Sequence, residues 1–329
     1  MIEVKNLNKV FKVHKKEPGF IGSVKSLVKR SYIHKQALDN FSLNIAQGEI
    51  IGLIGSNGAG KTTLTKILSG IIHPSSGDVS VMGFNPWKRE NSYRSKMSVI
   101  MGQKAQLWWD LPAMDGFLLL KEIYQIPHRD FYDSIEYFAH VLNIKEQLNI
   151  QVRRLSLGER MKVELMAALL HKPKVIFMDE PTIGLDLSAQ KAVRNFIKEY
   201  RKAHNPTMIL TSHYMDDIEE LCPRICILKE GKGIYDGSLI KLHNKYAQNK
   251  LIKAHINNRE ELHQLKDSFP KQLGILEFDS RQVSIHTPRD KAMEAAKFLL
   301  EHCEVLDMNI KEQEIGDVIE KIMNQKDPL

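Results

Sequence analysis

The sequence is poor in the features that would place a chain in a membrane or in an oxidising compartment. Only 3 of its 329 residues are cysteine, an odd and sparse count that argues against a disulfide framework. No apolar run approaches the roughly 20 residues that a bilayer-spanning helix requires. The first residues, Met1–Lys5 (MIEVK), mix apolar and charged side chains and lack the apolar core of a signal peptide. We therefore expect a cytosolic protein, in which any membrane role depends on a partner.

The amino-acid composition is that of an ordinary globular protein. Apolar residues make up 43% and charged residues 26% of the sequence. The formal net charge of +7 is compatible with a nucleotide, an anionic membrane surface or nucleic acid, and does not choose among them. A length of 329 residues predicts one large domain and a smaller one. Cys222 and Cys226 could share a helix face, but we favour buried thiols over metal ligands.

Alternating strand and helix signals predict an α/β domain with a mostly parallel sheet over residues 1–237. The stretch from about 104 to 170 is helical throughout and is interpreted as an inserted helical subdomain. The predicted strands are Ile2–Leu7, Phe41–Ile45, Glu49–Ile54, Asp78–Met82, Ser98–Gly102, Lys174–Met178 and Thr207–Leu210. The predicted helices are Lys61–Ile71, Leu118–Ile126, Phe131–Leu142, Leu157–Leu170, Ser188–Ala203 and Met215–Leu221.

The pattern changes after Asp236 and Gly237, which predicts a separate C-terminal accessory domain over residues 238–329. A linking helix (238–248) precedes elements in the order βαββαβ, followed by a last helix (315–323). That order fits a small α+β ferredoxin-like sandwich. This part of the sequence contains no phosphate loop, metal cluster or nucleophile pattern, so its role (dimer support, regulation or stability) stays open.

The segment Gly55–Thr62 (GSNGAGKT) matches the phosphate-loop pattern G-x-x-x-x-G-K-[ST] between a predicted strand and a predicted helix. Its glycines let backbone N–H groups point at phosphate oxygens, and the helix N-terminus adds a positive dipole end. Lys61 would contact the β and γ phosphates, and the Thr62 hydroxyl would ligate Mg²⁺. The residues predicted to bind the nucleotide here are Gly55, Ser56, Asn57, Gly58, Ala59, Gly60, Lys61, Thr62 and Thr63.

Two acids, Asp179 and Glu180, end the apolar strand that begins at Val175. Two carboxylates at the end of a buried strand are costly to desolvate, so we expect them to have a function. In a phosphate-loop protein, Asp179 would hold Mg²⁺ and Glu180 would activate the attacking water as general base. A helix cap is the alternative interpretation of such a pair.

Further motifs resemble those of the ATP-binding-cassette (ABC) ATPases. Leu155–Arg160 (LSLGER) is similar to their L-S-G-G-Q signature and precedes the acidic strand at the family's spacing. Gln103 stands where the family has its Q-loop, and Pro181–Asp186 (PTIGLD) resembles the D-loop region. His213 resembles the switch histidine, and Phe11 stands where the family places an aromatic ring under adenine. A plain core position is the alternative for Phe11.

The resemblance covers residues 1 to about 237 and implies the phosphate-loop ABC-ATPase fold: a RecA-like core sheet, an antiparallel β subdomain and an inserted helical subdomain. It also implies that two ABC domains pair head to tail around ATP. Ser156 and the Gly158 N–H would then reach the γ-phosphate in trans. Gln103 would contact Mg²⁺ and the attacking water, His213 the γ-phosphate, and Asp186 would cross the dimer interface.

The signature departs from the family pattern at two positions. Leu157 replaces a glycine and Glu159 replaces a glutamine, whereas Ser156 and Gly158 are kept. We therefore expect a working site in which Leu157 alters the fine geometry of the trans contact.

Several details are similar to the ABC-2-type drug-exporter branch, which includes daunorubicin-resistance and sodium-extrusion ATPases. They are the C-terminal domain, the signature itself, Met101–Gln103 (MGQ) and the segment Leu107–Pro112 (LWWDLP). Trp108, Trp109 and Leu111 follow the Q-loop and are candidate docking residues for permease subunits; the alternative is packing inside the helical subdomain. A basic insert (12–36) is either a solvated loop and helix or a face toward lipid headgroups or the permease.

The resemblance therefore implies an ATP-hydrolysing subunit that drives a separate integral membrane permease, with export favoured over import. The chain would lie in the cytoplasm, on the inner face of the membrane. A homodimer with ATP and Mg²⁺ as cofactors is expected, and pairing with a different ATPase chain stays open. The alternative is a soluble ABC ATPase acting on nucleic acid or ribosomes. One ABC domain without long heptad repeats favours transport, so we expect no nucleic-acid partner.

Overall fold

The computed structural model of the chain describes residues 1–14, 32–102, 105–246, 249–279, 282–313 and 315–324. The chain divides after Gly237 into two compact units. The strands of the first unit are β1 (Ile2–His14), β2 (Tyr32–Ile45), β3 (Ile50–Ile54), β4 (Ser76–Val81), β5 (Met97–Met101), β6 (Val175–Asp179), β7 (Thr207–Thr211), β8 (Arg224–Lys229) and β9 (Lys232–Ser238). Its helices are α1 (Lys61–Leu68), α2 (Asn91–Arg94), α3 (Ala113–Ile123), α4 (His128–Val141), α5 (Leu157–Leu169), α6 (Leu187–His204) and α7 (Met215–Leu221).

The main sheet of the first unit has the strand order β5-β6-β7-β3-β8-β9. Its neighbouring strands from β5 to β8 all run parallel. The three central strands β3, β6 and β7 are almost wholly buried, which explains why they appear in the sequence as short continuous apolar runs. Leu64, Ile67 and Leu68 of α1 pack into the same core as Leu53 and Phe177 of the sheet.

A second, antiparallel sheet has the order β2-β1-β4. The sequence predicted β1 only as far as Leu7, but the strand continues to His14 because Lys9 to His14 pair with β2 across to Leu38 and Tyr32. The ends of the basic insert, 12–14 and 32–36, are therefore strand residues and not loop or helix. The rest of the insert lies outside the described residues.

The helical part of the first unit contains α3, α4 and α5, and short 3₁₀ turns lie between α4 and α5. The first of these helices was predicted at Leu118–Ile126; a helix is present there, but it spans Ala113–Ile123, so both predicted bounds are wrong. It begins directly after Pro112, whose fixed φ suits a helix start, and ends before Gln125, which is in a left-handed conformation (φ 53°). Cys222 and Cys226 do not share a helix, since Cys222 follows α7 and Cys226 lies in β8; both are buried free thiols.

The second unit contains α8 (Leu239–Tyr246), β10 (Asn249–Ile256), α9 (Arg259–Ser268), β11 (Ile275–Asp279), β12 (Gln282–Pro288), α10 (Ala292–His302), β13 (Val305–Glu312) and α11 (Ile315–Asn324). Its sheet has the antiparallel order β11-β12-β10-β13. That is the ferredoxin-like arrangement predicted from the element order. Its core is apolar, built from residues such as Ile252, Val283, Ile285 and Leu299.

The predicted fold class is confirmed in both parts: a parallel core sheet with an antiparallel β subdomain and inserted helices, and a small α+β sandwich. Among the helices of the described ranges, none combines the length and apolarity that crossing a bilayer requires.

Candidate active site

The parallel strands β3, β5, β6 and β7 end at one edge of the main sheet, and the predicted motifs follow them there. The phosphate loop follows Ile54, Gly102 follows β5, Glu180 follows β6, and His213 comes shortly after β7. Ligands of open parallel sheets bind outside the carboxyl ends of the strands. The sequence distances between these motifs are large, but the sheet topology brings them to one place.

The phosphate loop is curled around its own lysine. Lys61 Nζ donates hydrogen bonds to the backbone oxygens of Gly55 (2.6 Å) and Ser56 (3.2 Å). Gly60 is left-handed (φ 113°), and a Cβ there would lie 2.6 Å from the Ala37 carbonyl oxygen, so this position needs glycine. Burial lowers the pKa of Lys61, while nearby carboxylates act in the opposite direction. The loop is thus a preformed cradle with a buried cation at its base.

Oxygen atoms gather around Asp179 at the end of β6. Asp179 Oδ1 accepts hydrogen bonds from the hydroxyls of Thr62 (3.2 Å) and Thr211 (2.6 Å). Hard oxygen ligands of this kind, completed by phosphate and water, suit Mg²⁺. Within the part of the chain that the structure describes, no group of three or more His, Cys, Asp and Glu side chains forms a self-sufficient metal cluster. The donor set therefore fits a cation that arrives with a phosphate ligand.

Glu180 and His213 form a close pair beside this group. The His213 backbone N–H donates to Glu180 Oε2 (3.0 Å), and His213 Nε2 lies 3.4 Å from Glu180 Oε1. Burial raises the pKa of Glu180, and His213 and Lys61 oppose that shift. A carboxyl group with a raised pKa in a polar cleft is suited to accepting a proton from water.

A cavity of about 650 Å³ connects the predicted nucleotide-binding residues. It is lined by Phe11, Lys12, Val13, Lys35, Ala37, Asn57, Gly58, Ala59, Gly60, Lys61, Thr62, Thr63, Glu180 and His213. Phe11 lines this cavity and is not a fully buried core residue. The Lys9 Nζ lies 4.9 Å from the centre of the Phe11 ring. The Phe11 ring and the phosphate loop therefore line the same cavity.

The signature segment lies at the start of α5. The Ser156 hydroxyl accepts a hydrogen bond from the Glu159 N–H (3.3 Å), and the Ser156 N–H donates to Glu159 Oε2 (2.9 Å), forming a capping box. The Ser156 hydroxyl also donates to Glu159 Oε2 (2.8 Å). Hydrogen bonds from Ser156 hold the pKa of Glu159 below its ordinary value. The glutamate that replaces the usual glutamine thus caps the helix.

Close packing joins the start of α5 to the start of α6. A Cβ on Gly158 would lie 3.1 Å from Ala189 Cβ, so a side chain there would crowd this contact. Asp186 caps α6 by accepting a hydrogen bond from the Ala189 N–H (2.8 Å). Ser156, Gly158 and Asp186 do not line the cavity described above. Asp179 does not line it either but hydrogen-bonds to Thr62, whereas the hydrogen bonds of Ser156 and Asp186 described above stay at the starts of α5 and α6. The structure of one chain therefore separates the predicted site residues into two groups.

Comparisons with known proteins agree with this arrangement. A family model described as "ABC transporter" matches residues 38–183. The uncharacterised ABC transporter ATP-binding protein MJ1023 of Methanocaldococcus jannaschii is 32% identical over 253 residues, covering 75% of this chain and 90% of the relative. The chain belongs to the ABC transporter ATP-binding proteins. The family predicted from the motifs is confirmed.

Other relatives of this ABC ATPase are consistent with that family. NatA of Bacillus subtilis is 30% identical over 208 residues (63% of this chain, 84% of the relative). The Nod factor export ATP-binding protein I of a Rhizobium species is 29% identical over 235 residues (71% and 77%). A dimeric ATP-binding cassette, MJ0796, solved in a post-hydrolysis state with ADP and Pi, has the same fold (TM-score 0.59, 21% identity, 72% of this chain and 98% of that chain).

Of the predicted Q-loop, Gly102 lies within the described residues and Gln103 lies outside them. The Gly102 N–H donates to the Asp179 carbonyl oxygen (2.9 Å), and a Cβ on Gly102 would lie 2.0 Å from the Glu180 oxygen. Any side chain at Gly102 would therefore push against the backbone of Glu180. This role of Gly102 was not predicted, although a glycine between a strand and a predicted Q-loop is a usable signal.

The segment after the Q-loop is held by the signature helix of the ABC ATPase. Trp108, Trp109 and Leu111 are 46%, 49% and 41% exposed, so the alternative that they are buried in the helical subdomain is wrong. Glu164 of α5 is buried and accepts hydrogen bonds from the backbone N–H of Gln106 (2.9 Å) and of the residue after it (3.3 Å). No local pattern around Glu164 predicts this role, since its partners lie nearly sixty residues away.

Proposed function

We propose that this chain binds Mg-ATP between two head-to-tail copies and uses dimer closure and reopening to drive a separate membrane permease. The observation that supports this proposal is the division of the site residues. One group, with Lys61 and Glu180, lines the cavity, whereas Ser156 and Gly158 do not. A second copy would supply these two residues from outside. The dimeric cassette MJ0796 has the fold of this chain, which is consistent with such pairing.

The proposed chemistry assigns a role to each group at the sheet edge. Thr62 and Asp179, with Gln103, would hold Mg²⁺, which neutralises phosphate charge when it is bound. Lys61 and the phosphate-loop N–H groups orient the triphosphate. Glu180 accepts the proton of the attacking water, and its raised pKa keeps it a competent base.

Contacts with the terminal phosphate would couple hydrolysis to movement. His213 binds the γ-phosphate from one side, and the helix N-terminus at Ser156 and Gly158 binds it from the partner's side. Asp186 would cross the dimer interface and couple the two nucleotide sites. Loss of the γ-phosphate removes the contact that joins the copies, so the dimer opens.

The membrane partner is proposed from exposed side chains and from relatives. Trp108, Trp109 and Leu111 are half-exposed beside the Q-loop, and an apolar aromatic cluster is typical of interface cores. A relative named for Nod factor export supports an exporter. In this proposal residues 1–237 are the ATPase domain, residues 238–329 an accessory domain, and the cargo is selected by the permease subunits at the inner face of the membrane.

The test of the two-copy site uses Ser156→Arg, which places a bulky cation at the contact made only in trans. We expect turnover to be lost while ATP binding to the isolated chain, measured by equilibrium dialysis, is unchanged. The matched control is Ser268→Arg, at an exposed serine of the second unit, which should keep the parent rate. Full turnover by Ser156→Arg would contradict the proposal.

A mixing experiment gives a sharper version of the same test. Lys61→Ala and Ser156→Arg should each be inactive alone, because each lesion destroys both sites of its homodimer. In a one-to-one mixture, mixed dimers contain one intact site, so we expect about a quarter of the parent rate per chain. If each site were built from one chain only, mixing would recover nothing.

A further inference from the structure

Asp217, in the first turn of α7, is a fully buried carboxylate (0% exposed) that lies outside the cavity. Its Oδ2 accepts hydrogen bonds from the hydroxyls of Ser212 (2.6 Å) and Thr182. Its Oδ1 accepts a hydrogen bond from Arg194 Nη1 (3.0 Å). Every partner of this carboxylate comes from a different element of the first unit.

The partners of Asp217 belong to the loops that contain the proposed catalytic pair. Thr182 lies in the loop that begins with Glu180, and Ser212 directly precedes His213. The Ser212 hydroxyl also accepts the Tyr214 N–H (3.0 Å), which closes the turn around His213. One carboxylate thus fixes the loop after β6 to the loop after β7.

Arg194 extends this network into α6, the helix that Asp186 caps. Its guanidinium is 3.0 Å from Asp217 and 2.9 Å from Glu220, and its side chain is only 7% exposed. A buried ion pair is a weak source of stability, since apolar residues of similar volume serve as well or better. Hydrogen bonds that converge from three elements on one buried carboxylate do, however, specify one geometry. We therefore expect Asp217 to determine the positions of the loops it joins and not to add to the free energy of unfolding.

We propose that Asp217 is a positioning residue that sets the geometry of Glu180 relative to His213 by holding Thr182 and Ser212. The inference rests on the proposed function of Glu180 and His213, and it deepens that function. The 3.0 Å hydrogen bond from the His213 N–H to Glu180 exists only while both loops keep their places. Small displacements of catalytic groups reduce turnover strongly while ground-state binding at a separate loop is retained.

The central variant is Asp217→Asn, which keeps the shape but removes the charge and turns an amide N–H₂ toward one set of donors. We expect turnover to fall about 10- to 100-fold, the usual effect of removing a supporting contact. ATP affinity should change less than about 3-fold, because the phosphate loop makes no contact with Asp217. The matched control is Asp216→Asn, at the exposed neighbour in the same helical turn, with turnover at the parent rate.

A second variant separates positioning from lost stability. Val193→Ala creates a small cavity at a fully buried position of α6 and lowers the melting temperature without touching the network. We expect its folded fraction to turn over ATP at the parent rate. Asp217→Asn, compared at equal folded fraction, should not. If the two variants lose activity only in proportion to unfolding, Asp217 is a stability residue and the inference fails.

Thr182→Val and Ser212→Ala provide the last measurement, since each removes one hydroxyl donor. If Asp217 acts through these donors, their effects on turnover should not add to that of Asp217→Asn. Additive effects would overturn the inference. Normal turnover in Asp217→Asn together with inactive Ser156→Arg would reject the positioning role while leaving the two-copy site intact. Reduced turnover in Asp217→Asn, together with no recovered activity when Lys61→Ala and Ser156→Arg are mixed, would support the positioning role and reject the two-copy site.

Discussion

The two units of the chain bury different kinds of side chain. In the first unit, Lys61, Glu164, Arg194 and Asp217 are all at most 7% exposed. In the described residues of the second unit, the buried polar side chains are the uncharged Thr287 and Gln313, and its core is otherwise apolar. Burying charge is unfavourable unless each group is paired, so these side chains need the hydrogen bonds and ion pairs described above, whereas an apolar core needs none.

The difference teaches where function and stability are located. In the first unit the buried charges lie at or next to the carboxyl edge of the parallel sheet, where the nucleotide site is assembled. The second unit is a sandwich whose apolar core accounts for its fold. Substitutions of the buried charged groups in the first unit should therefore change turnover, and core substitutions in the second should change the free energy of unfolding.

The largest effect is expected for Glu180→Gln, which removes the general base and keeps its shape. Turnover should fall about 100- to 10,000-fold, while ATP binding persists. The matched variant in the second unit is Glu277→Gln, an exposed glutamate 3.7 Å from His286, which should leave turnover unchanged. Steady-state phosphate release and ATP binding would be measured for both. A parent rate in Glu180→Gln would disprove the role of Glu180.

A smaller effect, on stability alone, is expected for Ile285→Ala in the core of the second unit. Ile285 is fully buried, so the cavity should lower the free energy of unfolding by about 2–4 kcal/mol. The control Leu306→Ala, at a position 62% exposed in the same unit, should cost less than about 0.5 kcal/mol. Denaturant titration measures both. A loss of ATP affinity by Ile285→Ala would break the separation between the units.

The smallest effect is the pH dependence of Glu180, whose pKa is raised by burial. Turnover needs the ionised base, so it should decline as pH falls through a pKa above the ordinary glutamate value of about 4.3. Stability should move oppositely: a carboxyl group whose pKa is raised by folding binds protons more tightly in the native state, so its contribution improves as pH falls.

Glu180→Gln should remove the contribution of Glu180 to this opposed behaviour, which can be followed by thermal unfolding between acid and neutral pH. Burial also raises the pKa of Glu164, so the contribution of that carboxyl group should remain in the variant. Turnover and stability that fall together with decreasing pH would contradict this prediction.

The sequence by itself determined the local features of this protein. The phosphate loop depends on glycines such as Gly60 that permit a left-handed backbone, and a buried parallel strand shows as a short apolar run. The order of motifs along the chain was enough for the family and for the ferredoxin-like unit. These features are readable because their physical causes lie within a few neighbouring residues.

Only the tertiary structure decided which distant groups meet. Asp217 accepts a hydrogen bond from Thr182, thirty-five residues away. The backbone of Gly102 lies so close to the Glu180 carbonyl oxygen that no side chain would fit there. The extension of β1 to His14 likewise depends on its pairing with β2, which continues as far as Tyr32. Pairings of this kind follow from sheet topology and side-chain packing, and residues far apart in sequence carry no local signal that they will touch.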